Sequence, residues 1–169
     1  MRKLWVVLIG IIILGLVNYS IYSREQLVHN GRSVFLELAP VDPRSLMQGD
    51  YMALRFAVTA KAYRALNKSQ EAATSQAKSS DGYIVLALDK QGIGRFSRID
   101  DSSEIKDNEV KMLYRKRGHK MKFATNAFFF QEGKAKRYEA AKYGEFKVAE
   151  NGDSILVDMW DEGLVKIEP

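Results

Sequence analysis

The chain has 169 residues, of which 46% are hydrophobic and 28% are charged, which is the composition of a folded protein rather than a disordered one. It contains no cysteine, which excludes disulfides, thiolate metal sites and a cysteine nucleophile. The two histidines, His29 and His119, lack the spacing of metal ligands, so we predict neither a metal site nor a cofactor. Arg2 and Lys3 account for two of the 26 basic residues, and the 24 that are left against 21 acidic residues are too balanced for a nucleic-acid-binding protein.

An uncharged, apolar run covers residues 4–23. At a helical rise of about 1.5 Å per residue, this run spans about 30 Å, the thickness of the hydrocarbon core of a bilayer. Trp5 lies near one boundary of the run, and Tyr19 and Tyr22 lie near the other, where aromatic residues favour the membrane interface. The run therefore predicts a single transmembrane helix.

The basic pair Arg2-Lys3 before the run favours a cytoplasmic N-terminus. We therefore predict a cytoplasmic tip and transmembrane anchor over residues 1–23, a juxtamembrane helix or linker over residues 24–32, and a β-rich extracytoplasmic domain over residues 33–169. A cleaved signal peptide is the alternative. Cleavage requires small residues at spaced positions, whereas the end of the apolar run is mostly bulky, so an uncleaved anchor is favoured.

Alternating hydrophobicity predicts the first two strands of the domain. Residues 33–41 form the first strand, and Gly31 is expected to end the juxtamembrane helix before it. Residues 50–59 form the second strand, and the two are expected to pair at the heart of a sheet. In the first strand, one face carries Val34, Leu36 and Leu38, and the other carries Phe35, Glu37 and Ala39. In the second strand, the uniformly apolar face of Met52, Leu54, Phe56 and Val58 is predicted to face the core.

The loop that joins these two strands leads into the most informative stretch of the chain. Pro43 fixes its own φ, Gly49 tolerates a positive φ, and Asp50 is interpreted as the cap of a tight turn. The order Gly49-Asp50-Tyr51-x-x-Leu54-x-Phe56 resembles the signature of the GDYXXLXY family of bacterial membrane-anchored proteins. The chain has Phe56 where the family pattern has tyrosine, so a role of that tyrosine's hydroxyl does not carry over.

The resemblance implies a location, a partner and a set of residues. It implies a single-pass protein of the bacterial inner membrane, whose C-terminal domain would be periplasmic. Family members often occur beside multi-pass membrane proteins, which implies a multi-pass partner in the same bilayer. It implies no activity, since none is established for the family. The motif and possible interaction residues are Asp42, Pro43, Arg44, Gly49, Asp50, Tyr51, Leu54 and Phe56.

The rest of the chain predicts one or two helices and several short strands. Residues 60–78 have helix-forming composition, with a mobile insertion as the alternative, and residues 79–82 are expected to end this helix. A second helix is expected at residues 133–143, and strands are expected at 83–88, 93–99, 109–116, 120–124, 126–130, 145–149, 154–160 and 164–167. The strand at 83–88 is predicted to be central, and the one at 126–130 to pack on both faces. The fold class is therefore α+β, with a mostly antiparallel sheet behind the membrane helix.

The densest basic run of the chain covers residues 115–122. One interpretation is the solvated tip of a hairpin. The other is contact with anionic lipid headgroups, at about 1 kcal/mol for each basic residue near a charged surface. The residues proposed for this contact are Arg115, Lys116, Arg117 and Lys120.

A comparison with an enzyme family tests whether the chain is catalytic. Residues 45–50 resemble the end of the serine box of signal peptidases, but Val41 stands where the catalytic serine would lie. Lys116 lies near the place of the general base, and a base without a nucleophile performs no acyl transfer. We therefore predict no catalytic residues and a non-catalytic accessory or interaction subunit. The alternatives are an inactive relative of these hydrolases and a binding module for envelope polymers or lipid headgroups.

Overall fold

The computed structural model describes residues 2–39, 47–48, 51–72, 79–118 and 120–168. Within these ranges the helices are α1 (Arg2–Asn30), α2 (Ala57–Ala72) and α3 (Ala135–Tyr138). The strands in the same ranges are β1 (Arg32–Glu37), β2 (Met47–Gln48), β3 (Tyr51–Ala53), β4 (Ser79–Leu88), β5 (Gly94–Ile99), β6 (Glu109–Arg117), β7 (Lys120–Lys122), β8 (Ala127–Phe129), β9 (Tyr143–Val148) and β10 (Ser154–Trp160). The predicted α+β class is confirmed.

Helix α1 is long, apolar and exposed. Its side chains from Trp5 to Gln26 are all exposed, and Leu27 is the first that is buried. The helix is long and apolar enough to cross a membrane. It ends at Asn30, and the Gly31 N–H donates a hydrogen bond to the Leu27 carbonyl at 2.9 Å. A Cβ at Gly31 would lie 2.5 Å from that carbonyl oxygen, which explains why glycine stands at the predicted end of the helix.

The strands form three antiparallel sheets, in the orders β1-β9-β10, β2-β3-β8 and β5-β4-β6-β7. Strand β4 lies between β5 and β6, which confirms the prediction that this apolar segment is central. The strands predicted at 145–149 and 154–160, which the Asn151-Gly152 turn joins, are confirmed as the hairpin of β9 and β10. Strand β1 pairs with β9 over its whole length. The predicted pairing of segments 33–41 and 50–59 is confined to one antiparallel bridge between Leu38 and Phe56, where the Ala39 N–H donates to the Arg55 carbonyl at 2.7 Å.

Two turn glycines link the sheets to each other. Gly92, with φ +81°, lies in the turn between β4 and β5, and its carbonyl accepts a hydrogen bond from the Phe35 N–H of β1 at 3.0 Å. Gly152, with φ +88°, lies in the turn between β9 and β10, and its carbonyl accepts one from the Leu113 N–H of β6 at 2.9 Å. Each hairpin therefore docks its turn on a strand of another sheet, and the core forms where these sheets meet.

The core combines side chains from distant parts of the chain. The largest fully buried side chains are Phe146, Leu36, Met52, Ile84, Leu86, Met112, Met159, Val34 and Val85. Strand β1 packs closely on β5, because a Cβ at Gly94 would lie 2.9 Å from Val34 Cγ1 and 3.1 Å from Leu36 Cδ2. At interior packing density, such a site admits no side chain larger than hydrogen.

The predicted second strand is shorter than the sequence suggests. Strand β3 covers only Tyr51–Ala53, and α2 begins at Ala57. The predicted core residues Met52, Leu54, Phe56 and Val58 are nevertheless all buried. The alternation of an extended chain holds as far as Phe56, and Val58 then begins a helical stripe that continues through Ala62 and Leu66 at four-residue spacing.

Other predicted elements change at their ends. Residues 79–82, expected to end the α2 helix, are the first residues of β4 and pair with the end of β6. The predicted helix at 133–143 shortens to α3, because Tyr143 already belongs to β9. The predicted strand at 164–167 is a single bridge between Trp160 and Lys166. Residues 73–78, the end of the helix predicted at 60–78, lie outside the described residues.

Strand β8 corrects the prediction that residues 126–130 pack on both faces. It pairs with β3 alone, as the last strand of its sheet. Phe128 and Phe130 lie partly buried against the core, each 5.2 Å from the ring of Tyr138 between centroids. Phe129 points the other way, because successive side chains of a strand alternate between its faces, and it is 73% exposed.

Candidate functional site

The family signature is divided between the core and the surface. Leu54 and Phe56 are each 3% exposed, and the Phe56 ring meets the Phe146 ring edge-on with 5.2 Å between centroids. The Leu54 N–H donates to the Asn126 carbonyl at 2.7 Å, which holds the signature segment against the start of β8. Leu54 and Phe56 therefore belong to the hydrophobic core of the domain. The other predicted interaction residues Asp42, Pro43, Arg44, Gly49 and Asp50 lie outside the described residues.

Tyr51 is the described signature residue that faces outward. It stands opposite Phe129 in the register of β3 and β8, with 5.7 Å between the ring centroids. Outside α1, Phe129 is the most exposed large apolar side chain in the described part of the chain. We call Tyr51 and Phe129 the aromatic patch. Sequence reasoning marked Tyr51 but placed Phe129 in the core, because a run of three phenylalanines does not reveal that its strand is an edge.

Four basic side chains form what we call the basic face, the outer face of β6 and β7. Arg115 stands opposite Lys122, and Arg117 stands opposite Lys120, while the intervening pair Lys116 and Met121 is turned inward. The basic face therefore unites three of the residues predicted for lipid contact with Lys122, which the sequence analysis left out. The alternation of residues 115–122 is the signal that could have identified Lys122.

The Lys116 side chain projects from the opposite face of β6, away from the basic face. Its side chain is buried, and Nζ donates a hydrogen bond to Asn67 Oδ1 of α2 at 3.1 Å. Nζ also lies 5.5 Å from the centroid of the Tyr63 ring, close enough for a cation–π interaction. Lys116 therefore joins β6 to α2 rather than facing the solvent with its neighbours.

The basic face carries one local ion pair. The Arg117 guanidinium donates two hydrogen bonds to the Asp81 carboxylate on β4, one of them at 3.1 Å between Nη2 and Oδ2. These hydrogen bonds, together with the charges of Arg117 and Arg115, hold the pKa of Asp81 below its usual value. The same pairing raises the pKa of Arg117. Asp81 therefore forms its ion pair with Arg117.

The buried carboxylates of the domain have structural partners. Glu145 accepts hydrogen bonds from Ser33 Oγ at 2.9 Å and from Trp160 Nε1 at 3.0 Å. Glu109 accepts one from Arg98 Nη1 at 2.6 Å, and this contact is the main reason that the pKa of Glu109 is lowered. Among the described residues, no group of three His, Cys, Asp or Glu side chains is placed to hold a metal ion. Both carboxylates thus tie strands together.

The fold and these surfaces define a class of protein, an antiparallel α+β domain that follows a helix long and apolar enough to cross a membrane. Residues 13–159 match the family described as GDYXXLXY protein, so the chain belongs to this family. The resemblance drawn from the signature is thereby confirmed. No curated protein and no solved structure matches the chain.

Proposed function

We propose that the chain is a non-catalytic, single-pass accessory subunit of the bacterial inner membrane, whose domain lies on the extracytoplasmic side and binds a multi-pass membrane partner through the aromatic patch. The observation that carries this proposal is the exposure of Phe129 beside the signature residue Tyr51. An apolar ring that is 73% exposed gains about 1.5–3 kcal/mol when it is fully buried. Aromatic residues of this kind commonly serve as the anchors of protein interfaces.

The strand that carries Phe129 adds a second way to bind. Strand β8 is the last in the order β2-β3-β8, so within the described residues its outer edge pairs with no strand. Natural proteins usually cover or charge such an edge, because its free N–H and C=O groups pair readily with another chain. A partner segment that lies along β8 can therefore satisfy backbone groups and cover the Phe129 ring together.

The position of the patch supports a partner in the same bilayer. Thr125, four residues before Phe129, lines a groove that Arg24 of α1 also lines. At about 3.3 Å per residue, four extended residues span about 13 Å. Phe129 is therefore within about 13 Å of Thr125, on the wall of the groove that Arg24 also lines.

A non-catalytic role is supported by the residues at the two positions where the signal peptidase comparison would need a nucleophile and a base. Val41 occupies the place of the nucleophile in the only enzyme comparison that the sequence suggests. Lys116, the residue nearest to the place of the base, is buried and bonded to Asn67. An activated nucleophile and a base within hydrogen-bond reach of it are what covalent catalysis requires.

The proposal is tested by replacing the exposed ring in the full-length protein. Phe129→Ser and the matched control Val165→Ser, which changes a side chain that is 62% exposed beside β10, are purified in mild detergent together with the wild type. Co-purifying proteins are quantified by mass spectrometry. We expect a multi-pass membrane protein with the wild type and with Val165→Ser, and at least about a tenfold loss with Phe129→Ser, since an interface anchor contributes 1.4 kcal/mol or more.

Thermal unfolding of the same samples serves as the control for folding, because exposed positions change stability by about 0.5 kcal/mol or less. Retention of the partner by folded Phe129→Ser would exclude the aromatic patch as the binding surface. The absence of any multi-pass protein from the wild-type sample, confirmed by cross-linking from position 129 in intact membranes, would overturn the accessory function itself.

A further inference from the structure

A groove of about 560 Å³ lies where the end of α1 meets the outer face of β6 and β7 and the start of β10. Three basic side chains line it, Arg24 from α1, Arg115 from β6 and Lys122 from β7. Asp153 is the one carboxylate among its lining residues, and Leu113 and Ile155 are apolar members of its wall. The groove therefore combines a net positive charge with an apolar surface.

Two of the cations of the groove stand side by side on neighbouring strands. Arg115 and Lys122 are directly opposite in the register of β6 and β7, where Cβ atoms lie about 4.5–5.5 Å apart and like charges repel. Among the described residues, neither of them nor Arg24 forms an ion pair within 4.0 Å. Asp81 of β4 stands opposite Arg115 in the register, but its carboxylate is hydrogen-bonded to the Arg117 guanidinium. An anion in the groove would relieve this repulsion.

The sequence of α1 sets the depth of the groove in a membrane. Arg24 is the first charged residue after the apolar run at 4–23. With that run in the hydrocarbon core, Arg24 lies in the headgroup layer, which is about 5–7 Å thick on each side of the bilayer. The groove that Arg24 shares with Arg115 and Lys122 is then at the level of the lipid phosphates.

We propose that this groove binds the phosphate of an anionic phospholipid in the leaflet where the anchor leaves the membrane. Each guanidinium of Arg24 and Arg115 can bind two phosphate oxygens, and Lys122 adds a point charge. Leu113 and Ile155 provide an apolar surface for the first methylenes of the acyl chains. The bound lipid fixes the domain against the membrane surface. This inference rests on the anchor and not on the partner, so the two proposals can fail separately.

The test measures binding of a fluorescent short-chain phosphatidylglycerol to the full-length protein in neutral detergent. The variants are Arg115→Gln with Lys122→Gln, Arg24→Gln alone, and Arg95→Gln as the control, an exposed arginine of β5 that does not line the groove. Each basic residue near the headgroup is expected to contribute about fivefold, so the double variant should bind about 25-fold more weakly. Arg95→Gln should change binding by less than about twofold, since it lies outside the groove.

A substitution that removes a negative charge from the groove gives a second test, with the opposite expected effect on lipid binding. Asp153→Asn removes the carboxylate of the groove and should tighten binding several-fold, since it removes a like charge from the neighbourhood of the phosphate. Phosphatidylcholine and inorganic phosphate are the two control ligands. Equal weakening by Arg95→Gln, equal binding of phosphatidylcholine, or tight binding of inorganic phosphate alone would each overturn the proposal. If the double variant does not fold, Arg24→Gln on the exposed helix decides the matter.

Discussion

Leu54 and Phe56 show that part of the family signature is structural. Both are buried, and the Phe56 ring packs edge-on against Phe146 and within 3.3 Å of the position that a Cβ at Gly144 would take. The position that the family pattern gives to tyrosine is therefore an aromatic core site. Tyr51, at the other end of the signature, faces outward and contacts Phe129. The burial of Leu54 and Phe56 explains their two-residue spacing in the signature, since alternate residues of an extended chain share a face.

The core role of Phe56 makes a prediction at the scale of the residue. Phe56→Ala should lower the free energy of unfolding by about 3–5 kcal/mol, because it removes a buried ring and leaves a cavity beside Phe146. Phe129→Ala removes the same atoms from an exposed site and should cost about 0.5 kcal/mol or less. Urea unfolding of both full-length variants in mild detergent measures the difference. Equal losses in the two variants would contradict the division of the signature.

At the scale of the element, the turns carry the contacts between sheets. Gly152 has φ +88°, and a Cβ at this position would lie 2.8 Å from two carbon atoms of the Tyr83 ring. The turn of the β9–β10 hairpin thus packs against the Tyr83 ring of β4 and accepts a hydrogen bond from the Leu113 N–H of β6. A side chain here meets two obstacles, an unfavourable backbone conformation and a neighbouring ring.

Gly152→Ala should therefore destabilise the domain by more than Gly118→Ala does. Gly118 also has a positive φ, +59°, but a Cβ there would meet nothing within 4 Å. The backbone term is about 1 kcal/mol or more in each variant, and the clash with Tyr83 adds to it only at Gly152. Thermal unfolding of the two variants, measured side by side, isolates the clash. Equal destabilisation would show that the Tyr83 contact yields without cost.

The same elements show what a sequence pattern can and cannot predict. Local hairpins such as β4–β5 and β9–β10 were predictable, because their turns and their alternation lie within one short stretch. The pairing of β1 with β9 was not, because alternation reports which face is buried and not which strand lies beside it. The α2 helix begins earlier than predicted for a related reason: Val58 continues the alternation of Leu54 and Phe56 and also begins the helical stripe of Val58, Ala62 and Leu66, so the pattern does not mark where the extended chain ends.

In the candidate sites, too, features formed by adjacent residues were predictable, and features formed by distant residues were not. The signature was recognisable from adjacent residues, whereas the aromatic patch needs Phe129, which the fold brings from β8 to Tyr51 on β3. The basic run at 115–122 was visible as a run, but its division into an outer face and the buried Lys116 depends on β6 and β7 being strands. Arg24 reaches the same groove only through the packing of α1 on the domain, which local patterns do not encode.

At the scale of the whole molecule, the proposed accessory function requires the domain to lie on the extracytoplasmic side of the membrane. Arg2 and Lys3 precede the apolar run, while Arg24 and Arg32 follow it and Glu25 stands among them. Two of these basic residues stand on each side of the apolar run, so the proposed orientation calls for a direct test. A long domain is translocated largely without regard to its own charges, so the basic groove does not oppose this orientation.

The orientation is tested with reporters fused after Pro169. An alkaline phosphatase fusion should be active and a cytoplasmic fluorescent reporter dark, because the N-terminus stays inside and the domain is exported. Replacing both Arg2 and Lys3 by Glu should lower the phosphatase activity per fusion molecule several-fold, whereas the same replacement of Lys120 and Lys122 should leave it unchanged, since these residues lie far beyond the end of the helix. A bright cytoplasmic reporter on the unaltered chain would reverse the topology, and with it the side of the membrane that the accessory function requires. N-terminal sequencing of the mature fusion completes the test: a chain that begins near residue 24 would be a secreted protein, in which Arg24 no longer marks the membrane surface.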